Sequence, residues 1–163
     1  MNPTSNQTGV DAFDFVIGNW TVQHRRLKER LVGCTDWLEF GGTSRTQKIL
    51  GGQGNVEDNF LAFPGGPYRA AAIRSFDAVT GQWSIWWLDL RNPGHLDTPV
   101  VGSFSNGKGL FYADDNLDGR PIRVRFTWLP KDPSSARWEQ AFSADAGNTW
   151  ETNWTMEFSR VHD

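Results

Sequence analysis

Four side chains of this 163-residue chain are suited to proton transfer: His24, Glu39, Asp89 and Glu139. Each stands within a few positions of a large aromatic ring. An imidazole or carboxyl held in an apolar pocket has its pKa displaced toward neutrality, where it serves as a general acid or base. His24 also opens the run His24-Arg25-Arg26-Leu27-Lys28-Glu29-Arg30, a local basic cluster suited to a carboxylate or phosphate. If Trp20 and Val22 face an interior, strand alternation sends His24 and Arg26 inward too, where an unpartnered charge is costly. Two readings stay open for this segment: a bulge returns the basic residues to solvent, or the pair meets a bound molecule. The same parity puts Glu39 with Trp37, Arg74 with Phe76, and Asp89 and Arg91 with Trp87, while Glu139 adjoins Trp138. With Phe126, Trp128 and Trp154 these side chains form the expected lining of a pocket, in which rings stack on a ligand and one or two ionic hydrogen bonds orient it. The structural alternative for any one of these charges is an internal Arg–carboxylate pair whose members satisfy each other.

Strands must position these residues. From Trp20 onward, runs of β-branched and aromatic residues alternate with Gly, Pro, Asn and Asp clusters, which predicts strands at 19–31, 35–48, 55–63, 68–76, 82–91, 98–105, 108–114, 120–129, 136–143 and 149–160. The connections Asp77–Gly81, Ser105–Gly107, Asn116–Gly119 and Asp145–Asn148 supply Gly or Asn where a hairpin needs positive φ. Strands joined by hairpins form a meander, and a meander of about ten strands removes its free edges by closing on itself. The expected fold is all-β: an antiparallel up-and-down barrel with a short N-terminal helical turn at 11–15 that plugs one end. Residues 1–10 are expected to be a flexible arm and 11–163 a single barrel domain. In the last strand Trp150, Thr152, Trp154, Met156, Phe158 and Arg160 share one face, which strict alternation turns inward. Ile122, Val124, Phe126 and Trp128 do the same in the eighth. The fifth strand, Trp83 to Arg91, is apolar on both faces, so its outer face is expected to be covered, a homodimer being one way.

Composition excludes several classes. With 9 Trp and 11 Phe, the core is built of rings. A net charge of −3 gives no pull toward nucleic acid. One cysteine, Cys34, allows no internal disulfide, no apolar run is long enough to span a membrane, and the first residues lack the blocks of a signal peptide, so a cytoplasmic location is expected. No pair of His stands at metal-ligand spacing, Gly51–Asn55 is not followed by a helix start or Lys-Ser/Thr, and no nucleotide fingerprint or nucleophile elbow occurs. No metal and no cofactor are expected.

Gly18-Asn19-Trp20 near the start and Phe158-Ser159-Arg160 near the end resemble the lipocalin and calycin pattern, which implies a Trp closing the barrel floor beneath an Arg. Such a cation–ring contact is favourable by about 0.5–2 kcal/mol. From Phe13 to Arg160 the chain also resembles the DUF1579-type lipocalin-like bacterial proteins. Phe13-Asp14-Phe15 with Gly18 and Trp20, Trp37 with Glu39-Phe40, Gly54-Asn55, Arg74 with Phe76-Asp77, and Trp138-Glu139 through Trp154 carry that likeness. It implies a lipocalin-like or fatty-acid-binding-protein-like barrel but no catalytic motif. None of His24, His95 and His162 matches the ligand position of the haem-binding, nitrobindin-like barrels. Ser143-Ala144-Asp145-Ala146-Gly147-Asn148-Thr149-Trp150 matches the Asp-box signature of sialidases, but a single copy is a hairpin device and not a glycosidase.

The expected function is binding of a small, largely apolar or aromatic molecule inside the barrel, anionic ones included. The alternative is a cofactor-free isomerase, cyclase or hydratase that acts by enclosure and acid/base catalysis. A third class, an interaction module, would use the aromatic strand 82–91 and fill its own interior.

Overall fold

Alternating apolar and polar side chains between turn-forming clusters produce ten strands, and each pairs antiparallel with its neighbour in sequence. The computed structural model describes residues 9–162; residues 1–8 of the expected arm lie outside the described residues. The strands are β1 (Gly18–Leu27), β2 (Trp37–Ile49), β3 (Gly54–Leu61), β4 (Tyr68–Asp77), β5 (Gln82–Asp89), β6 (Val100–Ser105), β7 (Lys108–Leu117), β8 (Arg120–Asp132), β9 (Ser135–Ser143) and β10 (Glu151–Arg160). β1 pairs with β10 as well as with β2, so the sheet closes and leaves no edge. Asn106-Gly107 and Asp118-Gly119 have positive φ at both positions, the geometry of two-residue hairpins matched to strand twist. No helix among the described residues is long and apolar enough to cross a membrane.

One end of the barrel is sealed from within. Two 3-10 turns, Gly9–Asp11 and Asp14–Val16, carry Phe13 into the interior, where its ring meets Trp83 and Phe104 edge-on at 5.0 and 4.9 Å. Arg160 locks this plug in place: Nη1 donates to Ile17 O at 2.7 Å, Nη2 to Phe15 O at 3.0 Å, and the guanidinium lies 4.1 Å from the Trp20 ring. Glycine suits position 18 beneath it, because φ there is +125°, and a Cβ would in addition sit 2.5 Å from Arg160 Nη1. The paired Gly-x-Trp and Arg thus close the barrel floor as the lipocalin pattern implies.

The other end is looser, for a reason visible in the pairing. β5 and β6 pair only from Trp83 to Ile85; beyond that β5 is followed by the 90–99 loop, which returns through a Leu88–Leu96 bridge and an Asp97 N–H to Trp87 O bond of 3.0 Å. The loop therefore continues the backbone pairing along the β5 edge where β6 has ended, and Leu90 and Leu96 remain exposed.

Interior parity decides between the two readings left open for β1 and departs from the sequence reading in β2 and β10. β1 runs without a bulge against both neighbours, so Trp20, Val22, His24 and Arg26 all point inward and the bulged reading fails. In β2 the interior positions are Phe40, Ser44 and Thr46, which leaves Trp37 and Glu39 outside. In β10 a bulge at Asn153, between Thr152 and Trp154, breaks the expected strict alternation. Trp154, Met156 and Phe158 are interior, whereas Trp150 packs outside against Tyr112 and beneath Arg125.

Candidate functional site

Below the looser end lies a cavity of about 300 Å³. Its wall is aromatic: Trp87 from β5, Phe126 from β8, Trp138 and Phe142 from β9, and Trp154 from β10, joined by Ile85, Val100 and Val124. The rings brace each other, Trp138 meeting Trp154 at 5.2 Å and 89° and Phe126 at 5.0 Å and 78°. Edge-to-face contacts of this kind hold the rings rigid without filling the space between them.

Charged groups form the rim. Arg26 Nη1 donates to the Tyr68 hydroxyl at 2.9 Å, and its guanidinium lies 4.6 Å from the Trp154 ring. Arg91 stacks 3.6 Å above the Tyr68 ring and holds Asp89 through both carboxylate oxygens. Burial alone would raise the Asp89 carboxyl, but hydrogen bonds from the Arg91 side chain and backbone outweigh it and leave it lowered. Arg30, from the segment after β1, faces the same space with Phe142 5.7 Å away. Burial, reinforced by the nearby Arg26 charge, lowers the Arg30 guanidinium to about 10. Neither Arg26 nor Arg30 belongs to an ion pair among the described residues. Asp97 and Asp115 line the opposite side of the rim, and burial raises the Asp97 carboxyl despite His95 nearby.

The expected site residues divide by place. Arg26, Trp87, Asp89, Arg91, Phe126, Trp138 and Trp154 converge on the cavity. His24 lies fully buried in the wall below Arg26, stacked on Phe40 at 4.7 Å, with Nδ1 accepting from Trp154 Nε1 at 3.1 Å. That bond assigns the proton of the neutral ring to Nε2. Burial, and secondarily Arg26, lowers the imidazole to about 4, so it is neutral at pH 7 and a weak base. Arg74 and Trp128 lie deeper, at mid-barrel, where Arg74 pairs with Glu57 and donates to Asn55 Oδ1 at 2.7 Å. Trp37, Glu39 and Glu139 are not part of the interior. Glu39 pairs with Arg25 on the outer surface, where Arg25 also covers Trp37, and Glu139 pairs with Arg137. Trp37 and Glu39 do share a face of β2, but it is the outer one, and on β9 Glu139 is one residue out of phase with the buried Trp138 and Gln140.

Sequence reasoning missed Tyr68, Asp97, Asp115, Gln140 and Phe142 in the lining, and Glu57 as the partner of Arg74. Arg30 was visible in the basic run. The others sit at strand ends or come together only through closure, so no local pattern marks them.

The geometry defines a lipocalin-like barrel, closed at one end and hollow near the other. An S-type phycobiliprotein lyase from Guillardia theta shares this fold, with a TM-score of 0.54 and 7% identity over 97% of this chain and 96% of that one. No family model and no curated protein matches the chain.

Proposed function

We propose that this protein binds a small, largely apolar or aromatic molecule bearing an anionic group. The body occupies the cavity among Trp87, Trp138, Trp154 and Phe126, and the anion faces Arg26 and Arg30. One observation carries this reading: two arginines that belong to no ion pair among the described residues share the mouth of a ring-lined cavity, and the Arg26 charge makes that of Arg30 costlier, an effect Glu151 offsets in part. An anion between them relieves that cost and gains charge-assisted hydrogen bonds. The structural neighbour, a phycobiliprotein lyase of the same fold, supports a barrel of this kind in small-molecule chemistry. The residues matched above support placing the chain near the DUF1579-type proteins.

Enzymatic use of the cavity is the second reading, a cofactor-free isomerase, cyclase or hydratase. Of the four proton-transfer candidates, Glu39 and Glu139 lie outside, His24 is a weak base with one nitrogen already engaged, and Asp89 is held by Arg91. The observation in favour of this reading is Asp97, a carboxyl on the rim of the cavity that partial burial raises although its side chain stays 55% exposed.

Titration with decanoate and with cinnamate, followed by intrinsic Trp fluorescence, tests the binding reading. A saturable change is expected for at least one acid, weakened about tenfold or more in the Arg26→Met/Arg30→Met double variant. No response to either acid, or a response unaltered in that variant, overturns it.

A further inference from the structure

The cavity does not end at its aromatic wall. Ile85, Trp87, Phe126 and Trp138 also border a second, smaller void of about 20 Å³ closer to the sealed end, whose remaining walls include Arg74, Trp128 and Glu57. A volume of this size admits about one oxygen atom, since a single water needs roughly 10–15 Å³ of such space. Two of the residues that line it each carry a buried N–H with no partner among the described residues, Arg74 Nε and Trp128 Nε1. Both side chains are 2% exposed, and the guanidinium carbon lies 5.2 Å from the Trp128 ring. A buried donor left without an acceptor is costly, so two of them on residues that line one atom-sized void form an arrangement that a hydrogen-bond acceptor between them would complete.

Charge limits what that acceptor is. The two terminal nitrogens of Arg74 are already committed, Nη2 to the Glu57 carboxylate and Nη1 to Asn55 Oδ1. The pair is neutral as a unit, and adding an anion would leave a buried uncompensated charge. A neutral oxygen meets the two donors without that cost.

We propose that the floor of the cavity is a subsite for one neutral oxygen acceptor, held by Arg74 Nε–H and Trp128 Nε1–H, and that the ligand carries a ketone or aldehyde at its inner end. This rests on the cavity-binding reading and specifies its deep end. In the free protein a water molecule fills the same position. The ligand class is therefore a compact aromatic or alicyclic carbonyl compound, with any anionic group at the opposite end, toward Arg26 and Arg30.

Acetophenone and α-methylstyrene differ by an oxygen against a CH₂ group and test the subsite on the full chain. Indole N–H resonances in ¹H–¹⁵N NMR spectra report where each probe binds, with the Trp128 signal assigned from Trp128→Phe. Acetophenone is expected to bind about tenfold or more tightly and to shift the Trp128 indole proton, with the preference falling to about threefold or less in Trp128→Phe. Equal affinities, or shifts confined to Trp87, Trp138 and Trp154, overturn the subsite and leave the cavity reading standing. Should neither probe move any indole signal while decanoate or cinnamate still binds, the subsite alone is overturned; if those acids also fail, both fall. If Trp128→Phe does not fold, the Trp128 indole signal is assigned instead from its NOEs to the Phe13 and Phe15 rings, which lie 6.0 and 5.7 Å from the Trp128 ring, and its shift in the unsubstituted protein decides the matter.

Discussion

The two ends of this barrel are built from the same residue types, yet one is packed solid and the other is hollow. At the sealed end Phe13 enters from the N-terminal segment and meets Trp83, Phe104, Phe111 and Trp128, and Arg160 ties the segment down by its carbonyls. At the other end Trp87, Trp138, Trp154 and Phe126 surround a space that no described segment fills, and arginines stand at its mouth. Ring content therefore does not by itself distinguish a core from a site. The distinction lies in whether the chain supplies its own occupant, and in whether the nearby cations are satisfied by protein groups.

Removing the internal occupant should have the largest effect. Phe13→Ala opens a void among rigid rings and is expected to cost about 3–5 kcal/mol in urea unfolding, with acid binding at the far end changed less than about twofold. A loss of binding as large as the loss of stability would break the contrast between the ends. Next comes acid. The folded His24 imidazole titrates at about 4 against an ordinary 6.5, so below pH 6.5 the unfolded chain takes up a proton that the folded one refuses. This contribution is complete above pH 6.5 and is lost as the pH falls toward 4, by about 3 kcal/mol at most. Urea midpoints measured between pH 7.5 and 4.5 should show that slope, and His24→Gln should flatten it.

Phe142→Ala sharpens the comparison from the hollow side. Its ring lines a space that already exists, so truncation enlarges a void without creating one, and about 1–2 kcal/mol is expected from the same unfolding assay. A cost equal to that of Phe13→Ala would mean that the two ends are packed alike. The smallest stability effect is assigned to Arg30→Met, which removes repulsion with Arg26 and should raise stability by about 0.5 kcal/mol or less, while weakening acid binding several-fold. A clear destabilisation would show that Arg30 is a structural group.

Much of the barrel was legible because its signals are local. Hairpin residues such as Asn106-Gly107 set the turns, and alternation in Ile122, Val124, Phe126 and Trp128 turned those side chains inward as expected. The cavity lining was partly legible: Trp87, Asp89 and Arg91 follow from parity on one strand. Glu39 and Glu139 misled because each stands close to a Trp, although nearness in sequence does not set the face. The β10 bulge gave no warning, since Asn153 is polar yet fully buried, its Oδ1 accepting from Gln140 Nε2 at 2.8 Å.

By itself the sequence determined the strands, the turns, the closed antiparallel sheet and the Trp20–Arg160 floor, because each depends on residue type at short spacing or on one recognisable pair. Only the tertiary structure decided which end is hollow, which face of β2 and β9 is interior, and that Arg74 has a carboxylate in an ion pair while Arg26 and Arg30 have none among the described residues. Those outcomes depend on burial and on Coulomb interactions between strands far apart in the chain, and such terms take their values only once the barrel has closed.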